Sequence, residues 1–176
     1  MTSFAVFLRG VNVGGVTIKS ADLRALFETL PVTDVKTLLA SGNVTCSSDL
    51  KLQELKALSE QSLRSRFGYE AWVVVLEADT LEQIVDGCPF PADDPSTHSY
   101  VTLFSDPAVL RELLRFASSI DEAVYPLGTV AAAWQSPKGK TLDSPLNAFT
   151  NKARFKNGTT TRNLRTLQKV LAATRS

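Results

Sequence analysis

The sequence predicts a mixed α+β fold, made of two tandem ferredoxin-like (βαββαβ-type) subdomains and a C-terminal helical extension. Residues 1–78 follow the order strand, helix, strand, strand, helix, strand, which is the ferredoxin-like order. A similar run begins after a proline-rich loop, Cys88 to Pro95. The length of 176 residues suits one domain or two small packed halves. The expected boundaries are therefore 1–78 and 79–135 for the subdomains, and 136–176 for a basic loop and C-terminal helix packed on them.

The first half alternates short apolar runs with amphipathic patterns. Run length and β-propensity predict four strands, at Phe4–Leu8, Val35–Ala40, Val44–Cys46 and Ala71–Leu76. Apolar residues at helical spacing predict two helices, Ser20–Leu30 and Leu52–Phe67. Pro31 ends the first helix, and Gly68 suits the position just after the second.

The second half repeats the pattern after a short helix around Leu81–Val85. A strand is predicted at Tyr100–Phe104, and Asp106 with Pro107 marks a helix start. A hairpin is predicted around Pro126-Leu127-Gly128. Two more helices are predicted, at Leu142–Thr150 and after a cap formed by Thr160 and Thr161.

A glycine-rich loop follows the first strand and is the first candidate binding element. Its sequence is Arg9-Gly10-Val11-Asn12-Val13-Gly14-Gly15. Glycines let another group approach main-chain N–H donors, and a helix start favours an anion. Arg9 and Lys19 place positive charge at both edges of the loop. The spacing matches neither dinucleotide-binding nor P-loop motifs, so the alternative is a tight turn with Arg9 paired to an acid.

Two other polar stretches have similar composition. Ser41-Gly42-Asn43 lies between two predicted strands, where it either contacts a ligand or forms a simple turn. Thr161-Arg162-Asn163 is predicted at the start of the last helix. Cations there are disfavoured by the helix dipole, by about 0.3–1 kcal/mol, and a bound anion would relieve that cost. The alternatives are a solvated basic face or a pair between Arg162 and an acid.

Charge is distributed unevenly although the net charge is only +1. From Lys138 to Ser176 there are nine basic residues and one acid, whereas Glu77 to Glu122 contains ten acids and two arginines. Either the basic tail binds an anionic partner or it docks on the acidic segment. The near-zero net charge argues against avid non-specific binding of nucleic acid.

Few residues suggest catalysis, and the sequence leaves open whether the protein is an enzyme. His98 is the only histidine, which disfavours a zinc site or a Ser-His-Asp triad. Cys46 and Cys88 do not make a disulfide framework. We expect no metal and no cofactor. No apolar run is long enough to span a membrane and the N-terminus lacks signal-peptide features, so a cytoplasmic location without a membrane partner is expected.

The three motifs resemble those of a known family. Phe7–Gly15, Ser41-Gly42-Asn43-Val44 and Thr161-Arg162-Asn163 are similar to the signature stretches of DUF1697, an uncharacterised bacterial family. The resemblance implies a two-subdomain α+β fold with ferredoxin-like halves and implies no activity. Leu164 stands where members typically carry an aromatic residue, and Thr45-Cys46 stand where members often have Phe.

These observations favour binding of an anionic, phosphate-bearing small ligand at one surface formed by the three motifs. The candidate ligand-binding residues are Arg9, Asn12, Gly14, Gly15, Ser41, Asn43, Thr161, Arg162 and Asn163. One alternative is a nucleic-acid-binding module that uses the basic C-terminal segment. Another is an enzyme acting on a nucleotide or sugar phosphate without a histidine base, with a perturbed acid or Tyr125 near the glycine loop.

Overall fold

A computed structural model describes residues 1–10, 16–152 and 154–176 of the chain. In these ranges the strands are β1 (Thr2–Arg9), β2 (Thr33–Leu38), β3 (Asn43–Ser48), β4 (Trp72–Glu77), β5 (Thr97–Phe104), β6 (Tyr125–Leu127), β7 (Ala131–Pro137) and β8 (Thr159–Asn163). The helices are α1 (Ser20–Glu28), α2 (Leu52–Phe67), α3 (Ala78–Gly87), α4 (Pro107–Ser119), α5 (Pro145–Thr150) and α6 (Leu164–Thr174). The chain divides into two compact units, Met1–Glu82 with Lys169–Ser176, and Gln83–Gln168.

The first unit contains a four-stranded sheet in the order β2-β3-β1-β4, in which every neighbouring pair is antiparallel. Alternate residues of β1 face a core that also contains side chains of α1 and α2. The main members of that core are Phe4, Val6, Leu8, Leu23, Phe27, Val44, Leu55, Leu63, Val73 and Val75. Burial of these apolar side chains fixes the register of the sheet, because a slip of one residue would turn them to the opposite face.

The second unit contains another four-stranded antiparallel sheet, in the order β6-β7-β5-β8. One face of it packs against α4 and α5 through Trp134, Leu113, Leu146 and Phe149. The central strands, β5 and β7, pair over seven positions from Thr97–Pro137 to Leu103–Ala131. The two sheets therefore have the same strand order relative to the order of strands in the chain.

Several helix ends lie where the local sequence predicts them. Helix α2 has the predicted bounds, and Gly68 adopts the left-handed conformation (φ 67°) at its C-terminus. The Asp106 carboxylate accepts a hydrogen bond from the Ala108 N–H at 2.9 Å, so it caps α4 as expected. These ends were predictable because each depends on residues within one turn of the helix.

The structure differs from the sequence prediction at the basic C-terminal segment. Thr160 and Thr161 were expected to cap the last helix, but they lie in β8 (Thr159–Asn163), which pairs with β5 from Phe104–Thr159 to Tyr100–Asn163. The last helix begins at Leu164, and the Asn163 Oδ1 accepts the Arg165 N–H at 2.9 Å. Asn163 therefore caps the helix, in place of Thr160 and Thr161. The predicted hairpin is also shifted, because Pro126 and Leu127 lie in β6.

Candidate functional site

One end of the first sheet brings Arg9 close to Ser41 and Asn43. Phe7 pairs with Asn43 in the antiparallel register, and the Leu8 N–H donates to the Gly42 carbonyl at 2.9 Å. Leu8 and Gly42 are therefore neighbours, and Arg9, the last residue of β1, follows Leu8 where Ser41 precedes Gly42. Adjacent strands are about 4.8 Å apart, so these residues are within side-chain reach of one another. Arg9, which begins the first predicted motif, and the second motif, Ser41-Gly42-Asn43, thus lie at the same end of the first sheet.

Arg9 is a half-buried cation at this strand end. It follows the alternation of Ala5 and Phe7, which face away from the helix-covered core. Burial lowers the pKa of the Arg9 guanidinium, because a partly desolvated charge is less favourable. The guanidinium nevertheless stays protonated at neutral pH, since the ordinary pKa of arginine is above about 12. The strand end therefore carries a permanent positive charge in a partly buried setting.

The turn that follows β2 is held by Asn43. Its side chain is fully buried, and its Nδ2 donates to the Leu38 carbonyl and to the Ser41 Oγ, each at 2.9 Å. Leu39 and Gly42 both have positive φ, 59° and 79°. For leucine this conformation costs of order 1–3 kcal/mol, and such strain is often found at functional sites. Asn43 thus orients Ser41 and maintains a strained turn.

A cleft of about 400 Å³ opens beside this turn. It is bounded by the segment before α1, the start of α1 and the end of β2. The residues that line it are Thr17, Ile18, Ser20, Leu23, Thr37, Leu39, Ala40 and Gly42. Gly42 links the cleft to the backbone of β1, since its carbonyl accepts the Leu8 N–H, whereas the side chain of Arg9 lies on the opposite face of the sheet. The volume lies within the range of about 300–1,000 Å³ that is typical of small-molecule sites.

The third motif lies in the second unit. Arg162 is 6% exposed, and its Nη1 donates to the Thr160 Oγ1 at 2.6 Å and to the Thr161 carbonyl at 3.0 Å. The Thr161 hydroxyl is hydrogen-bonded to that of Thr102, 2.9 Å away on the neighbouring strand. These contacts hold β8 in place. A common surface for the three motifs stays a prediction.

Three of the predicted ligand-binding residues, Asn12, Gly14 and Gly15, lie outside the described residues. No motif in the sequence indicates the cleft. Ser20 was identified only as a helix start and Thr37 only as a strand residue, although their hydroxyl oxygens are 2.6 Å apart. The alternation of β2 was a usable signal, because it places Thr37 on the same face as Val35.

Cys46, His98 and Trp134 each pack against other side chains of the fold. The Cys46 thiol is buried, and burial raises its pKa to about 12, which makes it a poor nucleophile at neutral pH. His98 stacks at a tilt against Tyr100, with ring centroids 5.8 Å apart. Trp134 is 1% exposed and donates through its Nε1 to the Thr102 hydroxyl at 3.0 Å, so its ring packs in the core. The described ranges contain no group of three or more His, Cys, Asp or Glu residues arranged to hold a metal ion.

Comparison with protein families gives one match that covers most of the chain. The model of a protein family of unknown function, DUF1697, matches residues 1–130. The chain belongs to the DUF1697 family. The matched DUF1697 region includes the Arg9 strand end, the Ser41 turn and the cleft. The third motif, Thr161-Arg162-Asn163, lies beyond it. No protein with a curated description matches the chain.

A solved structure shares the fold of this DUF1697 protein. It is described as a conserved bacterial protein of Streptococcus pneumoniae, and the two chains are 19% identical with a TM-score of 0.79. The likeness covers 98% of each chain. At this identity it establishes the α+β fold and carries no functional assignment. Among the helices that the structure describes, none is both long and apolar enough to cross a membrane.

Proposed function

We propose that this protein binds an anionic, phosphate-bearing small molecule at the end of the first sheet where Arg9 lies. The observation that carries the proposal is the position of Arg9, a half-buried guanidinium at a strand end beside a polar turn. Arginine presents five N–H donors in a planar arrangement that suits two phosphate oxygens. Ser41 adds a hydroxyl at the same turn, and Asn43 keeps that turn in position.

The conformation of the local backbone also favours binding of an anion. Gly10 follows Arg9 directly and has φ 76°, a conformation that lets main-chain N–H groups turn toward a ligand. Helix α1 follows in the chain, and its cap position is Lys19. A lysine side chain has no hydrogen-bond acceptor, so it cannot satisfy the first N–H groups of the helix. The start of α1 therefore carries the positive end of the helix dipole together with the charge of Lys19.

Thermal unfolding with a panel of phosphate compounds tests the proposal. The panel contains inorganic phosphate, nucleoside monophosphates, sugar phosphates and polyphosphate. A ligand at one hundred times its Kd stabilises the folded state by about 2.7 kcal/mol, which for a chain of this size raises Tm by roughly 5–11 °C. The rise should be lost in Arg9→Ala. It should persist in Arg24→Ala, which removes the same charge from an exposed position on α1. Equal stabilisation of both variants would contradict the proposal.

The nucleic-acid alternative receives less support from the basic segment. Arg154 pairs with Glu112 at 3.1 Å, and Arg175 pairs with Asp79 and Glu82 at 3.0 Å each. Arg162 is buried in β8. Arg165 also donates to the Ala92 carbonyl at 3.4 Å, so at least four of the nine basic residues from Lys138 onward are engaged within the fold. A salt titration separates the two functions, because the affinity of a multi-contact nucleic-acid binder falls steeply with ionic strength.

We also infer that each unit has ferredoxin-like topology. In the first unit β1 and β2 are joined through α1, β3 and β4 are joined through α2, and the sheet order is β4-β1-β3-β2. This is the split β-α-β arrangement expected of such folds. The second unit repeats the order, with the short helix α5 between β7 and β8. Comparison of an experimental structure with ferredoxin-like domains would test this inference.

A further inference from the structure

We propose that a polar cavity on the first sheet binds a small α-amino acid in its zwitterionic form. The cavity has a volume of about 190 Å³ and lies within the first unit, between the sheet and the C-terminal end of α6. The sheet side chains that line it are Ser3, Asp34, Lys36, Thr45 and Ser47. The site is separate from the phosphate site at Arg9, and the inference goes beyond the proposed function.

The strand register gathers a lysine and three hydroxyl groups on one face of the sheet. Lys36 lies directly opposite Thr45 in the β2–β3 pair, and Ser3 lies opposite Ser47 in the β1–β3 pair. Thr45 and Ser47 share the face that points away from the helix-covered core, because Cys46 between them belongs to that core. The Cβ atoms of directly opposed residues are about 4.5–5.5 Å apart. One small group can therefore contact Lys36 and Thr45 together.

The Thr45 hydroxyl is the observation that points to a ligand. Thr45 is 2% exposed, and within the part of the chain that the structure describes its Oγ1 has no hydrogen-bond partner. A buried hydroxyl without a partner destabilises a fold, whereas an apolar group of the same shape has no such cost. An acceptor atom in the cavity would satisfy this hydroxyl. Threonine is thus better suited to binding than to packing at this position.

Lys36 supplies the positive charge for a carboxylate. Its ammonium donates to the main-chain oxygens of Ala173 and Ser176, at 3.1 and 2.9 Å, and to the Ser176 hydroxyl. The two contacts with Ser176 are exchangeable because Ser176 is exposed. A ligand carboxylate has two acceptor oxygens and can take their place. Lys36 then turns from the end of α6 toward Thr45, whose hydroxyl donates to the same carboxylate.

The other charges of the cavity favour a ligand that also carries an ammonium group. Asp34 lines the cavity, and its carboxylate would repel a simple anion. The C-terminal end of α6 carries the negative end of the helix dipole, which attracts a cation. Arg175 is compensated, since it pairs with Asp79 and Glu82 at 3.0 Å each. A zwitterion with its carboxylate at Lys36 and its ammonium toward Asp34 is complementary to both signs of charge.

The volume of the cavity limits the size of the amino acid. A cavity of about 150 Å³ holds benzene, and one water molecule occupies about 30 Å³ of the liquid. The 190 Å³ here therefore correspond to about six water molecules. This space suits an amino acid with a small side chain, such as alanine or serine.

Titration of the ¹⁵N-labelled full chain, followed by ¹H–¹⁵N correlation spectra, tests the inference. The probes are L-alanine, acetate and ethylamine, which carry both charges or only one of them. L-alanine should shift the amide signals of Lys36, Thr45 and Ser47. It should bind at least about tenfold more tightly than acetate or ethylamine. Absence of these shifts with L-alanine, or equal affinity for L-alanine and acetate, would overturn the inference.

Thr45→Val should weaken binding of L-alanine at least about tenfold. It should nevertheless raise the Tm of the unliganded protein, because the unsatisfied hydroxyl is removed. The matched control is Ser59→Ala, which removes another fully buried hydroxyl that has no partner among the described residues and does not line the cavity. The control should keep the wild-type affinity for L-alanine. Wild-type affinity in Thr45→Val would contradict the proposed site.

Asp34→Asn tests the choice of a zwitterion. Asp34 has φ 54°, a conformation that asparagine also tolerates, so the change removes the charge without new backbone strain. The preference for L-alanine over acetate should fall to about twofold. An unchanged preference would show that Asp34 does not recognise the ammonium group and would refute the zwitterion.

The amino-acid site and the phosphate site can be tested separately. Thr45 pairs with Ala5, four residues before Arg9 in β1, which is about 13 Å at 3.3 Å per residue. Arg9→Ala should therefore leave the binding of L-alanine unchanged. Binding of a phosphate compound that requires Arg9, without binding of L-alanine, refutes this inference alone. Binding of L-alanine that requires Thr45, without binding of any phosphate compound, refutes the proposed function alone.

Discussion

Replacing Glu60 should destabilise the first unit far more than its position on a helix surface suggests. Its Oε2 accepts two hydrogen bonds, from the Lys56 ammonium at 2.7 Å and from the Val73 N–H at 3.1 Å. The Glu60 and Lys56 side chains are only 12% and 18% exposed. The carboxylate thus links α2 to the main chain of β4. A buried N–H that loses its acceptor is costly, and so is a buried cation that loses its partner.

The magnitude follows from these two contacts. Hydrogen bonds to charged groups contribute about 1.5–3 kcal/mol, and breaking a buried pair costs about 3–5 kcal/mol. Because Lys56 retains some access to water, we expect Glu60→Ala to cost about 3–4 kcal/mol in the free energy of unfolding. For a chain of this size that is a fall in Tm of roughly 6–16 °C. Glu60→Gln keeps an oxygen acceptor for Val73 and should cost about 1–2 kcal/mol.

Trp72 provides a local probe for this experiment. It precedes Val73 in β4, and the Arg64 guanidinium of α2 lies 4.4 Å from its ring centroid. Urea unfolding is followed by tryptophan fluorescence in a Trp134→Phe background and by circular dichroism.

The matched control is Glu28→Ala, which removes an exposed glutamate that pairs with Arg24 at the same helical spacing. That change should cost less than about 0.5 kcal/mol. Our reasoning is refuted if Glu60→Ala costs no more than the control, or if Glu60→Gln costs as much as Glu60→Ala.

Three other predictions follow from single residues. Burial raises the pKa of Cys46 from 9.0 to about 12, so the folded protein holds this proton longer than the unfolded chain and stability should fall as pH rises from about 9 to about 12. In Cys46→Val the midpoint of urea unfolding should fall less between these pH values. In the native wild-type protein, a thiol reagent at pH 8 should modify Cys88 well before Cys46. Asp106→Ala should cost about 1 kcal/mol through loss of the α4 cap, whereas Asp106→Asn should be nearly neutral, as urea unfolding would show. Leu39→Asn should keep or raise Tm, because asparagine tolerates positive φ better than leucine, and a fall of several degrees would show that Leu39 packing outweighs its strain.

Elements of the fold that depend on local patterns were predictable from the sequence. The apolar run Phe4–Leu8 identified β1 because its residues are buried on both faces, with exposures of 0–1%. Leu52–Phe67 was predicted with the observed bounds because its apolar spacing and Gly68 agree. In both cases the residues that decide the structure are close together in the chain.

Strand β8 shows why elements that depend on distant parts of the chain were harder to predict. Thr159, Thr160 and Thr161 are β-branched and suit a strand, but threonine and asparagine also suit a helix cap. The alternatives are separated by contacts with β5, such as the Thr102–Thr161 hydroxyl pair, whose members are 59 residues apart. That pairing creates the strand and leaves Asn163 to cap α6. A local pattern contains no information about the partner strand.

Only part of the candidate site was predictable from the sequence. Arg9 and Ser41 were identified by composition, and the β1–β3 register places them at one sheet end. The cleft was missed because Ser20 and Thr37 meet only when α1 packs beside β2, and because a positive φ at Leu39 has no signature in a leucine residue. Glycine and arginine in a loop therefore indicate where a ligand could lie. The shape of its pocket depends on packing.

The charge asymmetry of the sequence is partly resolved by pairing within each unit. Arg175 reaches the acidic segment at Asp79 and Glu82 in the first unit, and Arg154 reaches it at Glu112 in the second. Exposed pairs of this kind contribute little stability, but they neutralise charge where a long anionic partner would otherwise bind. A partner that binds through the whole tail would have to displace them. A compact phosphate ligand at Arg9 would leave these ion pairs in place. The pairs therefore favour the proposed binding of a small ligand over the nucleic-acid alternative.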